Sequence, residues 1–290
     1  EGDFPLDTFF AGAGTDGLTP ATAHVIEGIE IDGTDELGNC IYLSNTTRYL
    51  VIRNCTLWDP TPEGDGVALN LQTCSNVTVL NCDFPGTRKG IQAYECESVM
   101  FSGNRVHNQS YLGIIVERSS DAMVYGNRLD NSNESIIAYR CDNTTVELNR
   151  VTNSKVGIRV TASRDCFVYD NEVTTSSDGG IKVQRSRGLI IVSGNKVQDS
   201  RVAGINVANS EGVEVLANEV RATRPGVYLY DAEGCLVQNN NITDGDIGGI
   251  RLVDSFGNTL SDNEVISNWQ YGMDLTGSDS NDIVGNRIVS

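Results

Sequence analysis

Three cations, Arg159, Lys182 and Arg251, and two tyrosines, Tyr139 and Tyr228, are the residues of this 290-residue chain whose types and spacing best fit chemistry. Guanidinium and ammonium groups pair with carboxylates, and aromatic faces stack on sugars and cations, so together they form a surface for anionic sugars. We read them as substrate-binding residues. The plain alternative is a solvated sheet face whose long side chains shield the strands beneath. A second candidate lies in Trp58–Gly66, where Asp59, Glu63 and Asp65 can share a calcium ion through oxygen ligands; a Pro-rich solvated turn is the competing account. No catalytic residue is assigned. His24 and His107 read as surface residues rather than bases, and no nucleophile elbow anchors a Ser-His-Asp set. The eight cysteines show no CxxC spacing and no His partners, which argues against zinc.

What must position these residues is a repeat. Apolar anchors recur at Ile41, Val67, Ile91, Ile114, Ile136, Ile158, Ile181, Ile205, Val227, Ile250 and Met273, at intervals of 22 to 26 residues. Each follows a small residue in most units. Such a period marks a solenoid whose units bury apolar faces against their neighbours. Alternation at Ile158/Val160 or Ile205/Val207 signals strand, and a second apolar pair follows at Val213/Val215 and Cys235/Val237. Thirteen residues after the anchor comes Asn, at 104, 127, 149, 171, 195, 218, 240, 263 and 286. The alternation breaks there, so the chain bends, and Asn tolerates the left-handed conformation of a bend. Three short strands per coil follow, with about eleven coils.

Stacked roughly 4.8 Å apart, the Asn side chains form a hydrogen-bonded ladder. Cys55 and Cys82 take the Asn place in two early coils. A second column of small residues runs through Cys96, Ser119, Cys141, Ser163, Ser186, Ser210, Ala232, Ser255 and Ser278. Cys55 with Cys82, and Cys74 with Cys96, stack at a separation a disulfide can span, or act as small buried hydrophobes. The residue after each anchor faces outward, which places Gln92, Ile115, Ile137, Arg159, Lys182, Asn206, Tyr228, Arg251 and Asp274 in one row. Tyr94, Glu117, Tyr139 and Thr161 begin a second.

With its GNRV, GNRL, DNEV and GNRI phrases, residues 25 to 290 resemble the right-handed parallel β-helix repeat proteins, the pectin-lyase-like and NosD-like superfamily. The resemblance implies an all-β, right-handed parallel β-helix with three short parallel sheets. It leaves function open among lyases, hydrolases, epimerases, adhesins and surface proteins. Pectate-lyase-like members carry acidic calcium ligands with an Arg or Lys base, galacturonidase-like members clustered Asp with Gly-His-Gly and Arg-Ile-Lys, and mannuronan epimerases Asp-Pro-His. Those phrases are missing here, and Gly180-Ile181-Lys182 matches only faintly. A NosD-like accessory role in metal-centre maturation is implied by the resemblance alone.

Lys+Arg number 21 against 39 Asp+Glu, a net charge of −18. That field disfavours nucleic acid and anionic bilayers as partners, and no apolar run is long enough for a membrane span. The first residue, Glu1, and sequons at Asn45, Asn54, Asn76, Asn108, Asn133, Asn143 and Asn241 fit a secreted, extracellular or cell-surface glycoprotein; Asn54 is expected within a strand. Residues 1–24 lie outside the repeat as an arm or partial cap, and Gly12, Gly14, Gly17 and Pro20 argue against a helix there. Short loops and regular ladders favour a structural protein that adheres at a surface or assembles with copies of itself, its last coil meeting the arm around Phe4, Phe9 and Phe10. The alternative is a carbohydrate-active enzyme or glycan-binding module acting on acidic polysaccharide, including cell-surface glycans.

Overall fold

The computed structural model describes residues 2–33, 38–58 and 66–289. Asp59, Glu63 and Asp65, the candidate calcium ligands, lie outside the described residues. The alternating segments form a right-handed parallel β-helix of about 11 coils. Anchor strands such as Leu112–Glu117 and Glu134–Tyr139 turn every second residue inward, so Ile91, Ile114, Ile136, Ile158, Ile181 and Ile205 stack in one buried column. β-branched side chains suit this stack because they are stiff and pack well on a pleated surface.

Each coil carries an anchor, a second and a third strand, but among the described residues the hydrogen-bonded sheets number two. The second strands form a 12-stranded sheet. Anchor and third strands, expected as separate sheets, merge into one of 21 strands. The cause is local: Arg150–Thr161 and Glu172–Gln184 run as single strands through the place where other coils turn. Register also corrects one anchor. Ile41 pairs with Leu69, and Leu69 with Ile91, so Leu69 is the anchor of its coil and Val67 pairs with Asn39. The added length of this coil therefore precedes Leu69.

The Asn column is a continuous ladder. Asn149 N–H donates to Asn171 Oδ1 (2.9 Å), and its Nδ2 donates to Asn171 Oδ1 (3.0 Å) and to the Val124 and Glu147 carbonyls (2.8 and 3.0 Å). Its own Oδ1 accepts from Asn127 N–H and Nδ2 (2.9 and 3.0 Å). Left-handed backbone falls on the preceding residue, among them Gly103, Gly126, Leu148, Asp170 and Ala217, with φ between 50° and 64°. Asn therefore holds its place through its amide and not through its dihedral tolerance. Cys55 and Cys82 continue the column by accepting or passing on backbone N–H bonds: Cys55 N–H donates to Cys82 Sγ (3.4 Å) and Cys82 N–H to Asn104 Oδ1 (2.9 Å). The small-residue column is a second ladder, in which Cys96 N–H donates to Ser119 Oγ (2.9 Å) and Cys141 N–H to Ser163 Oγ (3.0 Å). Cys55, Cys74, Cys82, Cys96, Cys141, Cys166 and Cys235 are free thiols. Burial pushes Cys82 and Cys235 up to about 11 and Cys166 to about 12, which keeps them protonated and unreactive.

A helix, Asp3–Phe9, covers the first coil, against the expectation drawn from the glycines. Those glycines and Pro20 all follow it, so they end the helix without preventing it. Asp3 accepts hydrogen bonds from Thr46 Oγ1 and Thr47 N–H (both 2.7 Å), and Asp7 from Arg48 Nη2 (2.6 Å). His24, expected at the surface, is fully buried. Its Nε2 lies 3.1 Å from Asp7 Oδ1, its Nδ1 3.0 Å from Thr15 Oγ1, and its ring stacks on Phe10 at 4.5 Å. Phe10 is thereby part of this chain's own core, leaving Phe9 exposed. His107 lies in strand Arg105–His107, half-buried, with Nε2 3.1 Å from Asp83 Oδ1. Asn54 is exposed at a left-handed bend (φ 54°) and not in a strand. Among the described residues no helix is long and apolar enough to cross a membrane.

Two outcomes follow. Replacing Asn149 by Leu leaves the Asn127 donors and the Val124 carbonyl unpaired in the interior, at about 1 to 3 kcal/mol per orphaned group, which a denaturant titration reads directly. Asp7 is held below the usual carboxylate value of 3.8, first by its hydrogen bond from Arg48 and then by His24. A carboxyl so depressed stabilises the fold above its unfolded value and loses that contribution as pH falls through the folded one. Hydrogen exchange across residues 3–24 should accelerate below pH 3.8, and Asp7→Asn should show the faster exchange already at neutral pH.

Candidate functional site

The residues proposed from sequence form one continuous surface on the outer face of the anchor strands. Arg159 pairs in register with Lys182, Lys182 with Asn206, Asn206 with Tyr228 and Tyr228 with Arg251. Tyr139 lies one coil earlier in the adjacent row, opposite Thr161. This face is not the fully solvated sheet that outward alternation alone implies. Lys182 and Asn206 are each only 8% exposed and Ala208 7%, so the centre of the row is recessed.

Its cations are not free. Arg159 Nη2 meets Glu134 Oε1 at 2.8 Å, Lys182 Nζ meets Asp178 Oδ2 at 2.9 Å, and Arg251 Nε lies 3.0 Å from Asp274 Oδ2. Arg251 also stands 5.9 Å from the centre of the Tyr228 ring. Asn206 belongs to the outward row read from the sequence, whereas Glu134 and Asp178 carry no expectation from it. The signal for Asp178 is a length difference: Ser154 pairs with Ser176, but Val156 pairs with Gly179, a bulge of one extra residue. Bulges re-aim side chains, and this one brings Asp178 to Lys182. Gly179 completes the arrangement. A Cβ there would lie 2.6 Å from Lys182 Cε and 3.3 Å from its Cγ, so the missing side chain is the bed on which the lysine stem lies.

Of the buried polar atoms in these rows, Arg159 Nε, Thr161 Oγ1 and Asn206 Oδ1 have no hydrogen-bond partner, and Arg251 Nε has only its ion-pair contact with Asp274. Orphaned polar atoms are costly in a finished interior; Arg159 Nε and Thr161 Oγ1 share one coil, and Asn206 Oδ1 lies two coils on. The set can clamp a carboxylate through Arg159, exchange a proton through Lys182 and Asp178, and bond hydroxyls through Asn206 and Thr161. No group of three or more His, Cys, Asp or Glu residues disposed to hold a metal ion occurs among the described residues.

Beside this face runs an open groove of about 980 Å³ along the turn that follows the anchor strands, lined by Arg118, Arg140, Arg164, Arg185 and Arg187 among others. Sequence reasoning missed it, although all five lie four or six residues after an anchor.

The right handed beta helix region model matches residues 39–188 and 134–288. No curated protein matches the chain by sequence. Among solved structures, the periplasmic alginate epimerase AlgG superposes with a TM-score of 0.68 at 13% identity, covering 100% of this chain and 83% of its own. An exopolygalacturonase from Thermotoga maritima gives 0.67 at 12% identity over 92% and 83% of the two chains. The A-module of an Azotobacter vinelandii mannuronan C-5 epimerase gives 0.58 at 13% over 96% and 91%. At such identities these likenesses establish the fold.

Gly179→Ala tests the lysine bed. Its clash is with the flexible end of Lys182, so stability should change by less than about 1 kcal/mol, while Lys182 should lift away from Asp178. Acetylation of native protein, mapped by mass spectrometry, should modify Lys182 several-fold faster in the variant; an unchanged rate means the lysine is not seated on Gly179.

Proposed function

The chain belongs to the right-handed β-helix family, and from that premise we propose that it binds and processes an acidic polysaccharide, in the manner of a lyase, epimerase or hydrolase, at an extracellular or periplasmic location. The observation that carries this reading is the recessed row Arg159–Lys182–Asn206, with its unpartnered Arg159 Nε, Thr161 Oγ1 and Asn206 Oδ1. A uronate carboxylate entering the row replaces Glu134 on the Arg159 fork, which offers bidentate geometry. Neutralising that carboxylate acidifies the adjacent carbon-bound hydrogen, the shared requirement of elimination and epimerisation, and Lys182 with Asp178 supplies a neighbouring proton acceptor and donor. Tyr139 and Tyr228 offer ring faces to sugars on either side.

Three fold relatives act, by their names, on alginate, polygalacturonate and mannuronan, which supports the same polymer class. Nothing comparable supports the self-assembling scaffold that the regular ladders favoured, and the burial of Phe10 in its own core removes one part of the terminal contact drawn for it.

Calorimetric binding to polygalacturonate and alginate, with turnover followed by ultraviolet absorbance of unsaturated ends, by reducing ends and by NMR, tests the reading. Affinity should fall as salt rises, and Arg159→Gln with Lys182→Gln should lower it at least tenfold. A double variant equal to the wild type, or no binding and no turnover with either polymer, removes the site.

A further inference from the structure

The groove beside the strand face has a composition opposite to the chain that carries it. Five arginines line it against three carboxylates, Glu95, Glu97 and Asp142, in a protein with 21 cations to 39 acids. All five arginines are exposed. Arg118 is engaged, with Nη1 3.5 Å from Glu95 and donating to the Tyr94 hydroxyl at 2.9 Å. Arg140, Arg164, Arg185 and Arg187 have no carboxylate within ion-pair distance among the described residues. Arg140 is instead held over the Tyr139 ring, 5.0 Å from its centre.

Backbone conformation gives a second, independent observation. The fourth residue after each anchor is left-handed: Arg118, Arg140 and Arg185 have φ of 50°, 54° and 51°. Elsewhere the same place is filled by Asn45, Thr73, Glu95, Ala162, Asn209, Asp231, Asp254 and Gly277, five of which are types that this conformation favours. Arginine has no backbone reason to be there. The turn itself aims these three guanidinium side chains along the groove, which all three line.

We propose that this turn-side groove is a second binding track for an acidic polysaccharide, in which Arg140, Arg164, Arg185 and Arg187 receive carboxylates or sulfates along the polymer. The class of polymer rests on the strand-face reading above; the existence of the track does not. Coils repeat at roughly 4.8 Å, so Arg164 and Arg187, one coil apart, present guanidinium groups at a pitch close to that of successive sugars in an extended 1,4-linked uronate chain. Tyr139 joins the two surfaces, since it belongs to the second outward row and also supports Arg140. A polymer on the strand face and a second stretch in the groove thus lie side by side, parallel to the solenoid axis.

The test compares two variant pairs on polygalacturonate and dextran sulfate, with a single-stranded oligonucleotide as control, across a salt series. Arg140→Asn with Arg185→Asn removes two charges while installing the residue the left-handed slot prefers, so melting should be unchanged or raised. Affinity should fall at least fivefold, and the slope of log affinity against log salt should flatten by about two. A preference for polygalacturonate assigns carboxylates, and a preference for dextran sulfate assigns sulfates. Arg164→Gln with Arg187→Gln, outside the left-handed slot, repeats the measurement if the first pair folds poorly. Unchanged affinity and slope in a folded variant overturn the track, as does tighter binding of the oligonucleotide than of either glycan. Loss of binding in Arg159→Gln with Lys182→Gln alone overturns the track and keeps the strand-face site. Loss in the groove variants alone keeps the track and overturns that site. A wild type that binds neither polymer overturns both.

Discussion

Register between coils is the constraint on which everything else depends. A parallel stack of near-identical strands can slip, and a slip of one residue exchanges the inner and outer faces of a strand. The amide ladder from Asn104 to Asn286 opposes this at every step, because from Asn127 onward each Oδ1 receives both the backbone N–H and the Nδ2 of the coil before it. The serine column does the same at the other bend with a single bond per coil. With both bends fixed, the outward rows have no freedom to shuffle. Arg159 meets Lys182, and Lys182 meets Asn206, only because the bends behind them are locked.

Periodicity made the fold legible, since both the 22-to-26-residue spacing and the Asn column are properties of side-chain type that survive without coordinates. The outward row was legible for the same reason. Features that break the period were not. The bulge that delivers Asp178 is one residue in a coil, too small to separate from ordinary variation in spacing. Leu69 was passed over because Val67 follows the small residue as other anchors do, while the actual pairing places the extra residues ahead of it. His24 reads as polar and therefore exposed, yet its partners Asp7 and Thr15 come from a segment outside the repeat. That segment escaped the same logic: the glycines after Phe10 end the helix, but the seven residues Asp3–Phe9 contain none. The left-handed slot was assigned to the ladder Asn although its neighbour holds it, because a bend and a hydrogen-bond ladder look alike in sequence when both favour Asn.

Charge separates the molecule at a finer scale than its composition. Cations on the strand face are paired with Glu134, Asp178 and Asp274, whereas those in the turn-side groove face solvent with few acids close by. The first arrangement is pre-positioned and pays for its burial with partners that an incoming carboxylate can replace. The second is hydrated, salt-sensitive and suited to drawing an anionic polymer toward the surface. Tyr94 and Tyr139 stand at the border between them.

The locked coil spacing also makes the outer face a ruler. Every coil contributes one tick at a fixed interval, so any length marked along that face is counted in whole coils. Duplication or deletion of one unit would lengthen or shorten the gauge by a single graduation without disturbing the marks on either side, since each coil contacts only its neighbours. The single added residue before Gly179 is a change of a different kind: it leaves the graduations in place and bends one of them toward Lys182.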